Sequence, residues 1–280
     1  GFYFGKVQAL KVTVSEKPSE TVYLKGFIGT DYTGTAFEEA DGESFVQAAS
    51  LWKLDGNVSL GVENLPFLRT YYAENVVFTG EGDDAKPELS ANAASSAVTL
   101  QVENLAANSN YTYVPYGAFL NDYYQVLGGD GALAGQSVQQ DIFSCYPRKQ
   151  LEEVLEDWNE TKQQESTLDQ AESAYAAYVQ AHCSSLPENL SYLQEKFDLD
   201  LETKESADPK EAEKNWEKIK TAVVSELAGN YEFVREPEAV PEGKDFVEWF
   251  LKESKEGNSV HFAAAATMLL RACGMPARYV

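Results

Sequence analysis

The residues of this chain that could do chemistry are few, and their spacing is restrictive. Ser259, His261 and Cys273 share one stretch, Ser259-Val-His-Phe-Ala-Ala-Ala-Ala-Thr-Met-Leu-Leu-Arg-Ala-Cys273, which ends at Gly274 and Pro276. Its small and apolar residues predict a central, buried helix stopped by that glycine and proline. Gly257-Asn258 reads as the turn before it, so residue 259 falls in the first helical turn. Unpaired backbone amides and the positive end of the helix dipole stabilise an anion there. A thiol at that place would ionise readily and be a good nucleophile. Ser259 supplies a hydroxyl instead, which has no accessible anionic form near neutral pH and needs a tightly coupled base. A serine before an apolar helix is also a common cap or first-turn residue. His261 is two positions on, and an i, i+2 helical pair points about 200° apart. A Ser259–His261 pair is therefore not expected.

The remaining candidates read as structural. Cys145, Cys183 and Cys273 lie far apart with no Cys-x-x-Cys pair, which excludes a zinc ribbon or thioredoxin motif. An odd count leaves one bridge plus a thiol, or three reduced cysteines. Two histidines in the whole chain rule out a His-rich metal centre. Cys273, near a helix end where the dipole disfavours a thiolate, is expected to pack. His182-Cys183 is not expected to form an ion pair, and Arg271 and Arg278 are expected to make structural pairs with acidic groups. Asp83-Asp84 and Asp130 sit near glycines but lack the calcium-loop spacing. No metal or cofactor is expected. Tyr111, Tyr113, Tyr116, Tyr123 and Tyr124 form an aromatic run that suits alternate strand positions or an exposed binding patch.

Several elements must hold these residues in place. Lys6 to Val14, Thr21 to Ile28, Val98 to Val102, Tyr111 to Tyr116 and Val138 to Cys145 read as strands. Asp41-Gly42, Asp55-Gly56, Gly80-Glu-Gly82 and Gly128-Gly129-Asp130-Gly131 punctuate them. A helix over Glu43 to Trp52 is expected among them. Composition changes at Pro147, and helical spacing follows from Arg148 to Cys183. Leu186-Pro187-Glu188 opens another helix. Pro209 opens the next, which sends Trp216, Ile219, Val223 and Leu227 to one side and ends at Gly229. Arg235 to Gly243 reads as a loop and Asp245 to Lys255 as helix.

The fold class expected is α+β: an N-terminal antiparallel β-sandwich (1–146), a helical region (147–235) and a third part over 236–280. The chain has 280 residues, 45 acids against 22 bases and a formal net charge of −23. Such an acidic surface repels phosphate, which makes nucleic acid and anionic membrane poor partners; no nucleic acid partner and no membrane insertion are expected. No apolar run is long enough to span a bilayer. Gly1-Phe2-Tyr3-Phe4 shows no initiator Met and no basic-then-apolar leader, so an anchor or signal upstream is expected.

Three segments carry a family resemblance: Glu242-Gly-Lys-Asp-Phe-Val-Glu-Trp-Phe-Leu251, Lys255-Glu-Gly-Asn-Ser-Val-His-Phe-Ala263 and Met268-Leu-Leu-Arg-Ala-Cys-Gly-Met-Pro-Ala-Arg-Tyr-Val280. Together they resemble the transglutaminase-like superfamily core, whose pattern is Gly-x-Cys-x-x-Phe-Ala, a small-residue helix, then Leu-Arg-Ala-x-Gly-Ile-Pro-Ala-Arg-Tyr-Val. The resemblance implies the leading helix and first strand (277–280) of a papain-like core over 236–280. It implies a nucleophile position at 259, where this chain has Ser in place of the family's Cys. The family's His and Asp would follow the Ala-Arg-Tyr-Val strand and are not among these residues. The upstream sandwich and helices, with Tyr23-Leu-Lys-Gly-Phe27 and Tyr113-Val-Pro-Tyr116, resemble the extracellular portion that precedes this core in membrane-anchored bacterial members, which implies a bacterial, extracellular cell-surface protein with a membrane-anchored parent. It would be catalytically silent as it stands, with a scaffold or binding role toward a protein or cell-wall component. The alternatives are a shortened or mutated form of an active cysteine acyl-transfer enzyme (transglutaminase or cysteine peptidase), and a structural spacer. A buried helix with one strand beside it must also hide an apolar face, by forming a homodimer or by packing on 147–235.

Overall fold

The computed structural model describes residues 8–14, 23–39, 76–80, 86–89, 99–111, 113–115, 126–127, 138–143, 167–195 and 209–280. The helix expected over 43–52, the helical stretch 148–166, the acidic turns at 83–84 and 130, Cys145 and Tyr116, Tyr123 and Tyr124 lie outside these residues. In chain order the strands are β1 (Leu10–Val14), β2 (Leu24–Lys25), β3 (Asp31–Tyr32), β4 (Phe37–Glu38), β5 (Val76–Thr79), β6 (Lys86–Leu89), β7 (Thr99–Asn104), β8 (Val114–Pro115), β9 (Val126–Leu127), β10 (Val138–Phe143), β11 (Glu232–Phe233) and β12 (Glu256–Gly257). The α-helices are α1 (Thr167–Tyr178), α2 (Pro209–Asn230), α3 (Phe246–Trp249) and α4 (Ser259–Ala272). A π turn, Val179–Cys183, continues α1, another, Phe250–Ser254, continues α3, and a 3-10 helix runs over Glu188–Glu195. The protein is thus a mixture of helix and strand.

The chain divides into two units, residues 1–27 with 42–175, and residues 28–41 with 176–280. In the first, β1, β7, β10 and β9 form an antiparallel sheet in that order. Val12 stands opposite Val102 in the β1–β7 register. Val102 is buried, whereas Val12 and Val14 are exposed, so β1 behaves as a wet edge strand. Lys11 crosses to Glu103 at 3.0 Å. Two-stranded ladders β2–β8 and β5–β6 complete the described strands of this unit.

The second unit is built around α4. Ala264, Ala265, Met268, Leu269 and Ala272 are buried there, against Val223 and Leu227 of α2, Leu190 and Leu193 of the 3-10 helix, and Val247, Phe250 and Leu251. Alanines on α4 let these neighbours come close, while Met268 and Leu269 fill the space left. Ile219 of α2 packs with Cys273 and Met275 in a smaller cluster. The apolar face of α4 is thus covered within one chain by α2 and the 3-10 helix. Pro209 begins α2, and the helix runs one residue past the expected Gly229. The segment 28–41 joins this unit through an antiparallel bridge: Gly29 N donates to Tyr279 O at 2.8 Å and Tyr279 N returns to Gly29 O at 2.9 Å. The strand expected at 277–280 is that single bridge.

Candidate functional site at the start of the central helix

Ser259 is the first residue of α4 and is exposed. Its hydroxyl has no hydrogen-bond partner among the described residues. The cap is Asn258, and this corrects the expectation that Ser259 itself caps or packs. Asn258 is extended (φ −100°, ψ −172°), and its Oδ1 accepts from Val260 N at 3.1 Å. An amide one residue earlier reaches the orphan N–H groups, which leaves the serine side chain outside the cap.

His261 completes a reciprocal cap. Its Nδ1 accepts from Asn258 N at 3.4 Å and lies 3.0 Å from Asn258 Oδ1. The ring lies tilted against Phe246 at 4.5 Å between centroids and meets Phe250 edge-on at 5.5 Å. It is buried, and Nε2 has no partner among the described residues. Burial holds this imidazole below its ordinary pKa. Gly257 makes room for it: a Cβ at 257 would stand 2.6 Å from His261 Cβ and 2.8 Å from Phe250 Cε2. The glycine of the sequence pattern is a steric requirement of the histidine beneath it.

The turn entering α4 is held from both sides. Glu232 N donates to Lys255 O at 2.8 Å and Val234 N to Gly257 O at 2.9 Å, forming the parallel β11–β12 ladder. Lys255 adopts φ 55°, the left-handed conformation that ends the π turn, with its N–H on Phe250 O at 3.0 Å. Phe233 of β11 is exposed and faces Phe262 with ring centroids 6.3 Å apart. Ser259 therefore follows a turn held by backbone hydrogen bonds.

In the last turn of α4, Arg271 is buried, and its hydrogen bonds correct the expectation that it pairs with acidic groups. Nη2 donates to Thr30 O at 2.6 Å, Nε to Ala277 O at 2.9 Å and Nη1 to Ser185 O at 3.1 Å. Its partners are backbone carbonyls, and burial lowers its pKa from the ordinary guanidinium value. It pins segment 28–30, the loop after α1 and the strand after α4 to one point. Arg278 has interactions of its own. His182 pairs with a carboxylate and not with Cys183: Nδ1 is 2.9 Å from Asp31 Oδ1 and 3.1 Å from Oδ2. Cys183 and Cys273 are buried, and neither is in a disulfide. Among the described residues no group of three or more His, Cys, Asp and Glu side chains could hold a metal ion.

A second polar knot lies at the start of α3. Tyr32 Oη donates to Asp245 Oδ1 at 2.9 Å and accepts from Val247 N at 3.0 Å, while Asp245 Oδ1 accepts from Glu248 N at 2.8 Å. Burial raises the Tyr32 pKa well above the ordinary phenol value. An open groove of about 440 Å³ beside it is lined by Thr33, Thr35, Pro187, Asn189, Gly243 and Lys244 with Tyr32, Gly34 and Asp245. Ser259 does not line it. Tyr111, from the aromatic run, packs on Phe27 at 5.6 Å in the first unit.

The arrangement at residue 259 can present a side chain at the positive end of a 14-residue helix. It brings neither histidine to that side chain. The reciprocal cap had a sequence signal, a capping residue followed three positions later by a side chain able to return the bond, but a histidine in that role is unusual.

Residues 201–280 match the model of the transglutaminase-like superfamily. No curated protein matches the chain in sequence. Two solved structures resemble it, both of the periplasmic domain of TgpA from Pseudomonas aeruginosa. The one bound to ethylmercury shares 14% identity, with a TM-score of 0.46, over 96% of this chain and 73% of that one. The other shares 14% identity, with a TM-score of 0.45, over 96% and 72%. Residues 201–280, where α2, α3 and α4 lie, are thus similar to the transglutaminase-like superfamily.

Proposed function

We propose that residue 259 occupies the nucleophile position of a transglutaminase-like core and that, with serine there, the chain is catalytically silent and acts as a scaffold or binding module. The observation that carries this is the exposed Ser259 as first residue of α4, just after its Asn258 cap and within the family match. A thiol there would be held as thiolate by the helix amides and dipole. A hydroxyl would need a base within hydrogen-bond reach. The chain has two histidines; one is paired with Asp31 and the other is sealed into the cap. Both placements support silence.

Under this reading residues 236–280 are the leading part of a papain-like core, residues 147–235 a helical region and residues 1–146 a β-sandwich with a scaffold or binding role. The protein would stand on a bacterial surface, with a protein or cell-wall component as partner. That placement rests on the sequence resemblance. The −23 charge suits a cationic partner surface better than an anionic one. The test is incorporation of a fluorescent primary amine into a glutamine-bearing protein, with peptide hydrolysis measured alongside. The chain with Ser259 should give neither above a no-protein control. Turnover that is lost in Ser259→Ala would overturn the silent reading.

A further inference from the structure

We propose that His261 is an acid-sensitive latch on α4: when neutral it locks Asn258 as the helix cap, and when protonated it releases that cap and loosens the turn that carries residue 259. The latch stands on the cap geometry; only its consequence at residue 259 rests on the function proposed above.

Two contacts compete for His261 Nδ1. In one neutral tautomer it accepts from Asn258 N, and in the other it donates to Asn258 Oδ1. The imidazolium can only donate, so the backbone N–H of Asn258 loses its acceptor. In that accepting tautomer Nε2 already carries the ring's proton, sealed and unpartnered among the described residues, so the added proton goes to Nδ1 itself. The charge would also sit in the first turn of a helix, at the end that repels cations. The elements packed on the ring present Phe246, Phe250, Gly257 and Asn258. None of these is ionisable, and among the described residues no charged group shifts the ring beside the effect of burial. Burial alone is what depresses the ring's affinity for a proton.

The released element is local. Asn258 Oδ1 holds Val260 N, and Asn258 O takes the first helical bond from Phe262 N at 3.1 Å. An imidazolium Nδ1–H that turns to Oδ1 competes with Val260 N for that oxygen. The first turn then opens while Met268 and Leu269 stay buried further along.

The experiment is amide hydrogen exchange on the full chain from about pH 7.5 to about pH 5, with ring NMR of His261 followed in parallel. Protection at Val260 and His261, corrected for intrinsic rate, should fall roughly five- to tenfold as the ring protonates. His261→Gln keeps a side chain that can return the capping bond but cannot titrate, so its protection should stay flat. His182→Gln should behave as the parent. Protection that ignores pH while the His261 ring titrates would overturn the latch, as would an equal loss in His261→Gln. If His261→Gln does not fold, the parent decides alone: the ring midpoint and the loss of protection must coincide, and separate midpoints contradict the proposal. Failure here would leave the reading of residue 259 untouched.

Discussion

At the residue scale, a few polar side chains fix the end of α4 that matters. Asn258→Ala removes the cap acceptor and should cost about 1 kcal/mol, read as a lower urea midpoint with unchanged slope. Arg271→Met should cost more, at least about 2 kcal/mol, because it orphans the carbonyls of Thr30, Ser185 and Ala277 together. A loss equal to that of Asn258→Ala would mean those carbonyls find other donors. The titratable residues set two edges on stability. His261 has a folded pKa below its unfolded one, so its contribution is complete above about pH 6.5 and is lost as pH falls below that. Tyr192 moves the other way: burial pushes it up to about 12. Its contribution is complete below about pH 10 and is lost as pH rises past that. Thermal melts across pH should show both shoulders, and His261→Gln should remove only the acid one. Much of this was not legible in the sequence. Arg271 reads as a surface partner for acids, and only the fold shows it surrounded by carbonyls. Ser259 reads as a cap because serine caps well, yet Asn258 caps as well and stands one residue earlier.

At the scale of elements, the central helix and its cover were the legible part. Pro209, the spacing of Ile219, Val223 and Leu227, and the glycine near the end define α2 without tertiary knowledge. The alanine run and the Gly274–Pro276 stop define α4 in the same way. The π turn after α3 was not legible, because a shift from i+4 to i+5 bonding leaves no mark in composition. Its end forces Lys255 into a left-handed conformation that a glycine would adopt at lower cost. Lys255→Gly should therefore be neutral or stabilising by up to about 1 kcal/mol, whereas Gly257→Ala, two residues on, should destabilise through contact with His261 and Phe250. Deeper in α4, Leu269→Ala should cost about 2–5 kcal/mol, since Leu269 is fully buried. A cost under 1 kcal/mol would place the core elsewhere.

At the scale of the whole molecule, the chain is two units sharing an interleaved sequence, and segment 28–41 belongs with the C-terminal one. Nothing in the composition of that segment announces its destination. It is set by the Gly29–Tyr279 bridge, Arg271 on Thr30 and Tyr32 on Asp245, all far apart in sequence. A net charge of −23 adds self-repulsion to every folded state. Screening with added sodium chloride should raise the melting temperature, and a fall would point to attractive pairs outweighing repulsion. Under the function proposed above, residue 259 ties these scales together, because it is the first residue of the central helix just after its cap. The most direct measurement is the pH dependence of alkylation of Ser259→Cys, with the parent chain subtracted to remove its own cysteines. An exposed thiol on the first turn of α4 should titrate clearly below the free-cysteine value of about 8.5. A midpoint at or above that value, or no reaction beyond the parent, would contradict the account.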